Sequence, residues 1–261
     1  MPSGPTPMPA PLDNRIVAFG RACYGLGIAG LGVQFFVNRA FVAVVLPTMP
    51  APPYWTAVAG AGMVLAGLVV AAGWKARGPA LLLGAALLAA FLLGQVPAQL
   101  PTWKVAALWT TPLKTLTLSG GAWICAATLA GPGALDPVLR ACGRLWFGFT
   151  LLFFGIEHFL YAGFVAALVP GWIPGPLFWT YFAGGALVAG GLGLLTGIAG
   201  RLAGGLTGLM IFLWLLVLHI PRAVADPTGL HGNEVSSVFE ALAFSGLGFI
   251  LWRTLPCPNA G

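Results

Sequence analysis

The stretch Leu177 to Gly200, "LFWTYFAGGALVAGGLGLLTGIAG", contains no charged residue and is long enough to decide the fold class. A helix of about 20 apolar residues crosses the hydrocarbon core of a bilayer. Similar uncharged runs occupy residues 54–74, 78–97, 202–218 and 241–252. The whole chain is 59% hydrophobic and only 7% charged, whereas about one quarter of an ordinary soluble domain is charged. Because no alternating β-barrel pattern is present, these features predict an all-α integral membrane protein.

Both ends of the chain are predicted to lie outside the membrane. Residues 1–15, "MPSGPTPMPAPLDNR", are rich in proline and lack a basic segment that leads into a short apolar core. We therefore expect a disordered tail rather than a cleaved signal, with the first span starting near Ile16. Residues 255–261 form a C-terminal tail. The cysteines include no CxxC pair, so we interpret them as packing residues or free thiols: Cys23, Cys125, Cys142 and Cys257.

The two halves of the chain resemble each other. Shared glycines alone are weak evidence in a chain with 38 of them, but Arg, Trp-Thr and Pro positions also coincide. At an offset of 123 the matches include Gly20/Gly143, Arg21/Arg144, Gly25/Gly148, Gly32/Gly155, Phe36/Phe159 and Pro47/Pro170. At an offset of 124 they include Trp55/Trp179, Thr56/Thr180, Gly67/Gly191, Arg77/Arg201, Gly84/Gly208 and Pro97/Pro221. This register predicts a tandem duplication.

Each half is predicted to form four membrane-spanning helices, which gives eight spans in all. The first repeat is 16–132, with helices at 16–37, 54–74, 78–97 and 111–130. The second repeat is 133–254, with helices at 141–165, 177–199, 201–220 and 235–253. An even number of spans per repeat gives both repeats the same orientation, related by a pseudo-twofold axis along the membrane normal.

The distribution of basic residues predicts the orientation. Eight of the twelve lie on the side of the termini: Arg15, Arg21, Lys75, Arg77, Arg140, Arg144, Arg201 and Arg253. The other side holds Arg39, Lys104, Lys114 and Arg222. The positive-inside rule then places both termini in the cytoplasm of a multi-pass protein of the bacterial inner membrane. Since these charges set topology, the net charge of +6 does not indicate a nucleic-acid partner.

A candidate site begins with Glu157 and His158, which are adjacent within the apolar segment "FGIEHFLYAGFVAALVPGWIP". The predicted topology brings further polar residues to the same outer end of the second repeat. The set is Glu157, His158, Tyr161, His219, Arg222, Asp226, His231, Glu234 and Glu240. The first half has Gln34, Phe35 and Gln95 at the positions of Glu157, His158 and His219. We infer that the second half carries the specialised site and that the first half is a scaffold.

Ionisable groups at membrane depth are costly, and they indicate function with a specific partner. We predict a charge pair between Glu157 and Arg222, and a hydrogen-bonding or ligand pair between His158 and His219. A network that only caps and anchors helix ends near interfacial water is an equal alternative. A groove beside His158 that admits a quinone or a lipid headgroup is a sharper hypothesis.

Other site chemistries are less favoured. Two histidines on facing helices can ligate haem, but we do not expect haem because such pairs usually lack it. No HExxH or close-set ligand motif indicates a metal. No GxSxG motif or Cys-His pattern offers a nucleophile.

Four segments of the second half form a recognisable pattern: "GRLWFGFTLLFFGIEHFLYAGFVAALVPGWIP", "FWTYFAGGALVAGGLGLL", "RLAGGLTGLMIFLWLLVLHIPR" and "NEVSSVFEALAFSG". In these segments the second half resembles the DoxX-like membrane proteins, and the first half is similar to a degenerate copy. The resemblance implies a four-helix membrane unit and an association with thiosulfate:quinone oxidoreduction or redox complexes. It marks Glu157, His158, His219, Pro221, Arg222 and Glu240 as the family-like polar residues, with no established catalytic role.

The leading functional hypothesis is a DoxX-like subunit of a redox complex that contacts quinone or lipid at the outer leaflet. We expect no enzymatic activity from the chain alone; with redox chemistry it is a subunit of a quinone-linked oxidoreductase. The expected partners are the lipid bilayer and other subunits of a membrane complex. The alternatives are a structural accessory subunit and, third, a small-molecule transporter.

Overall fold

The computed structural model describes residues 11–38, 53–129 and 133–256, and every element in these ranges is helical. The long helices are α1 (Pro11–Asn38), α2 (Pro53–Ala72), α3 (Arg77–Thr102), α4 (Thr110–Ala127), α5 (Asp136–Leu160), α6 (Pro176–Thr196), α7 (Gly200–Ala225) and α8 (Gly229–Thr254). A short helix, Ala162–Leu168, follows α5, and a 3-10 turn, Ala106–Trp109, precedes α4. Helices α3 and α7 each contain a π turn, at Ala90–Gln95 and Leu215–His219.

Seven of these helices are long and apolar enough to cross a membrane, which confirms the predicted class of helical, multi-pass membrane protein. Within the described ranges, α4 is the exception. It carries Lys114 and several threonines, and most of its residues are buried against other helices.

Several predicted boundaries shift. Helix α1 begins at Pro11 rather than Ile16, so the predicted tail is too long, and residues 1–10 of it lie outside the described ranges. The predicted helix 141–165 is Asp136–Leu160, because the chain turns at Tyr161 before the short helix. Of the four cysteines, Cys257 lies outside the described ranges and the others are free thiols.

The helices pack in pairs that recur in the two halves. Helix α1 contacts α2 and α8, whereas α5 contacts α6 and α4. A Cβ on Gly20 of α1 would lie 2.6 Å from the carbonyl oxygen of Gly246 in α8. A Cβ on Gly143 of α5 would lie 2.5 Å from the carbonyl oxygen of Gly120 in α4. These glycines let the backbones touch, as small residues do in lipid.

The turns between α2 and α3 and between α6 and α7 use the left-handed backbone region at corresponding places. Gly73 has φ 75° and Lys75 has φ 46°, while Gly197 has φ 78° and Ala199 has φ 52°. Glycine suits the residue after a helix because it has no Cβ to clash in this region. Both turns lie at the opposite end of the bundle from the polar side chains described below.

The core lies between the helices, and the perimeter is apolar. Tyr24, Phe35, Phe147, Leu118 and Leu247 are almost completely buried. Large apolar side chains are exposed along most helices, as expected for surfaces that face lipid. A separate apolar groove of about 600 Å³ lies between α2 and α3, lined by Ala59, Met63, Ala66, Val69, Leu83 and Leu87 among others.

Candidate functional site: a polar cluster shared by both halves

Ionisable and hydroxyl side chains meet at the end of the bundle where α4 and α8 begin and where α5 and α7 end. We call this group the polar cluster. Its members are Thr110, Lys114, Glu157, His219, Arg222, Glu234 and Glu240. Four helices contribute to the polar cluster, and two of its members come from α4 in the first half.

Lys114 of α4 and Glu240 of α8 form an ion pair that joins these two helices. The distance from Lys114 Nζ to Glu240 Oε2 is 2.7 Å. The Glu240 side chain is 7% exposed and the Lys114 side chain 22%. Because Glu240 is buried and Lys114 is only partly exposed, removal of either partner would leave the other charge uncompensated.

Arg222 and Glu234 form a second ion pair, which joins α7 to α8. Arg222 Nη2 donates to Glu234 Oε1 at 2.6 Å, and Arg222 Nε donates to Glu234 Oε2 at 2.9 Å. This two-point contact matches the planar guanidinium to the carboxylate. The predicted charge pair between Glu157 and Arg222 is therefore wrong. Arg222 instead donates both hydrogen bonds to Glu234, a carboxylate in the following helix, α8.

Glu157 has a different environment from the other two carboxyls. Its carboxyl oxygens lie 2.8 and 3.1 Å from Thr110 Oγ1, and the residue is 8% exposed. Thr110 Oγ1 also lies 2.9 Å from the carbonyl oxygen of Ala107. Within residues 11–38, 53–129 and 133–256, Glu157 takes part in no ion pair. The charge of Lys114 acts on it electrostatically from outside ion-pair distance.

The two histidines do not bond to each other in the described structure. His158 Nδ1 lies 2.7 Å from the carbonyl oxygen of Phe154, one turn earlier in α5. The side chain of His158 also packs against Gly184 of α6. His219 lies within electrostatic range of Lys114, Arg222 and Glu234. The structure therefore gives His158 a backbone partner in its own helix in place of the predicted hydrogen bond to His219.

The π turn at Leu215–His219 helps to place His219. A π turn adds a residue to the helical repeat and so rotates the side chains that follow it, and such turns are frequent at functional sites. The corresponding π turn in α3 ends at Gln95, whose Nε2 lies 2.7 Å from Thr115 Oγ1 of α4. Both turns thus end on a polar side chain. The side chain in α3 is the amide of Gln95, whereas the side chain in α7 is the imidazole of His219.

The remaining predicted site residues lie outside the polar cluster or outside the description. Tyr161 ends α5 with an exposed side chain, and Asp226 ends α7 in an exposed position. The side chain of His231 is not among those described. No group of three or more His, Cys, Asp or Glu side chains within the described ranges is arranged to hold a metal.

Sequence reasoning missed Thr110 and Lys114 of the first half, which contact Glu157 and Glu240 of the second half. Lys114 was counted only as a topology charge, although it lies inside a helix. A lysine flanked by threonines and leucines in "TTPLKTLTLSGG" could have marked α4 as a buried, functional helix. Its partner could not be found from the sequence, since Glu240 is remote in the chain.

The polar cluster has donors and acceptors suited to a polar headgroup. Lys114, Arg222 and His219 supply N–H donors, and Glu157 supplies a carboxyl that no cation neutralises within ion-pair distance among the described residues. Such groups at membrane depth can bind a ligand or exchange protons. Comparison with known proteins adds no assignment to this site: no family model, no curated protein and no solved structure matches the chain.

Proposed function

We propose that the protein is a DoxX-like membrane subunit of a redox complex, and that its polar cluster contacts a quinone or a lipid headgroup. One observation carries the proposal: four helices bring three carboxyls, two cations and a histidine together at one end of a chain that is only 7% charged. Maintaining such a group in lipid is costly, so a functional role is the default interpretation.

A quinone headgroup suits these side chains chemically. Its carbonyl oxygens accept hydrogen bonds, which Lys114, Arg222 or His219 can donate. Reduction of a quinone takes up protons as well as electrons, and a carboxyl such as Glu157 can supply or receive a proton. The electrons would come from a partner subunit of the complex, which is the reason for proposing a subunit rather than an enzyme.

We also propose that α4 spans the membrane, which gives eight spans in two repeats, 16–132 and 133–254. The glycine contacts support this proposal. Under the repeat, α1 corresponds to α5 and α8 corresponds to α4, so the contact of α1 with α8 is equivalent to the contact of α5 with α4. The π turns and the left-handed turns recur at an offset of 124. Residues 116–120, "LTLSG", match 242–246, "LAFSG", and this register places Lys114 opposite Glu240.

The orientation completes the proposal. With both termini in the cytoplasm of a bacterial inner membrane, the polar cluster lies toward the outer leaflet. The basic residues near the opposite end support this placement. Among them, Arg77 forms an ion pair with Asp136, and Arg140 donates to the carbonyl oxygen of Ala127.

The test is mass spectrometry of the proteins and small molecules that co-purify with the chain in mild detergent. His219→Gln gives the second half the amide that the first half has at Gln95. His158→Gln is the matched control, because that histidine lies outside the polar cluster. We expect redox proteins and quinone with the wild type and the control, and at least about tenfold less quinone with His219→Gln.

Other outcomes would reject the proposal. Equal amounts of quinone in all three preparations would show that the polar cluster does not bind quinone. Partners without redox centres would favour an accessory role, and a single bound solute without partners would favour transport.

A structural accessory subunit is the second candidate, and the ion pairs favour it. Lys114–Glu240, Arg222–Glu234 and Arg77–Asp136 each join two helices and are satisfied within the chain. A protein whose charges only hold its helices together would present the apolar perimeter to other subunits. This candidate predicts that His219→Gln leaves the assembled complex and its activity unchanged.

A further inference from the structure

We propose that Glu157 is a proton-binding site, which is protonated at rest and donates its proton to the hydroxyl oxygen of Thr110. The inference concerns the same polar cluster, but it does not rest on the quinone or on any partner subunit. It assigns a chemical state to one residue, so it can be tested on the isolated protein.

The hydrogen-bond count at Thr110 is the first argument. Thr110 Oγ1 lies 2.8 Å from a Glu157 carboxyl oxygen and 2.9 Å from the carbonyl oxygen of Ala107. A hydroxyl has a single proton to donate. If Glu157 were ionised, one of these two oxygen contacts would have no proton between its atoms. A protonated Glu157 supplies the missing proton, and Thr110 then donates to Ala107.

Burial without a cation is the second argument. Glu157 is 8% exposed and has no Lys, Arg or His nitrogen within ion-pair distance among the described residues. An isolated charge in such a place is strongly disfavoured, and a carboxyl there becomes neutral by binding a proton. Lys114, the cation in electrostatic range, is already paired with Glu240.

The other two carboxyls of the polar cluster provide an internal comparison. Glu240 lies 2.7 Å from Lys114 Nζ, and Glu234 accepts two hydrogen bonds from Arg222. Each of these carboxyls has its own cation within ion-pair distance. Glu157 lies at the same end of the bundle but has no such partner among the described residues.

Lys114 on α4 is the charged group in electrostatic range of Glu157, and His158 is its titratable neighbour on α5. Lys114 in turn acts on His219 of α7 and Glu234 of α8, and it pairs with Glu240 of α8. Loss of the Lys114–Glu240 pair would free a cation near Glu157 and favour its ionised form. The proton of Glu157 is thus coupled to this ion pair.

Infrared spectroscopy of the purified full-length chain tests the proposal directly. A protonated carboxyl has a C=O stretching band that an ionised one lacks. We expect the wild type to show this band at neutral pH and Glu157→Gln to lose it. Glu234→Gln is the matched control and should retain it, because it leaves the Lys114–Glu240 pair intact. No band in the wild type, or a band that persists in Glu157→Gln, would overturn the assignment.

Carbodiimide labelling of the wild type gives a second measurement that needs no variant. Dicyclohexylcarbodiimide reacts with a protonated carboxyl: the proton adds to a nitrogen and the carboxyl oxygen adds to the central carbon. We expect peptide mass spectrometry to find Glu157 labelled at least about tenfold more than Glu240. Equal labelling of the two carboxyls would contradict the proposal. Neither measurement involves quinone, so a negative result leaves the proposed ligand contact to its own test.

Discussion

Removal of the carboxylate at Glu240 should be the most damaging conservative change in the polar cluster. Glu240→Gln keeps the size of the side chain but leaves the Lys114 ammonium buried without its partner. Breaking a buried ion pair in this way costs about 3–5 kcal/mol of unfolding free energy. Because the Lys114 side chain is 22% exposed, we expect the lower end, about 3 kcal/mol.

Thermal unfolding in a mild detergent measures this effect. For a chain of this size, about 3 kcal/mol corresponds to a loss of about 6–12 °C in Tm. Glu157→Gln is the matched control, because an amide imitates the protonated carboxyl proposed there and should lower Tm by no more than about 2 °C. Similar losses in the two variants would refute the distinction between the paired and unpaired carboxyls.

The reversed pair tests the same reasoning and the proposed repeat. The proposed repeat would place Lys114 and Glu240 at equivalent positions, so Lys114→Glu combined with Glu240→Lys should recover most of the lost Tm. Each single variant should be strongly destabilised, and the double variant should show a large coupling energy between the two sites. A double variant as unstable as the sum of the singles would refute the equivalence of the two positions.

Three further predictions concern packing, hydrogen bonding and orientation. Gly191→Ala should destabilise the bundle by about 1–3 kcal/mol, because its Cβ would lie 2.6 Å from a backbone nitrogen of α5. Gly185→Ala, where no neighbour lies within 4 Å, is its control, and equal Tm values would contradict the packing argument. Thr117→Ala removes a buried 2.9 Å hydroxyl contact with α5 and should cost about 0.6 kcal/mol in unfolding experiments; no measurable change would mean that the contact contributes nothing. In a cysteine-free background, Trp172→Cys should react with a membrane-impermeant maleimide added to intact cells and Ile198→Cys should not; the reverse pattern would invert the proposed orientation.

The fold class could be predicted because it depends on composition and run length, which are local properties of the chain. Seven helices confirmed by length and apolarity follow from uncharged segments such as 177–200. The eighth, α4, shows the limit of that reasoning. Its threonines and Lys114 lower its apolarity, and only its burial among neighbouring helices explains how it tolerates them.

The π turns also escaped prediction, since no residue pattern in "AFLLGQ" or "LLVLH" distinguishes them from ordinary helix. A π turn depends on how a helix packs against its neighbours, and the polar contact of Gln95 with Thr115 is one such constraint. Sequence reasoning could name His219 as a candidate, but it could not find the turn that places it.

The sequence alone indicated a helical membrane protein and named Glu157, Arg222, Glu234 and Glu240 as candidates for one site. The tertiary structure decided which of them are partners. Glu240 forms an ion pair with Lys114, and Glu234 forms one with Arg222, whereas Glu157 contacts the hydroxyl of Thr110. The apolarity of a segment can be evaluated from that segment alone. An ion pair depends on the distance between two side chains, and these side chains are far apart in the sequence.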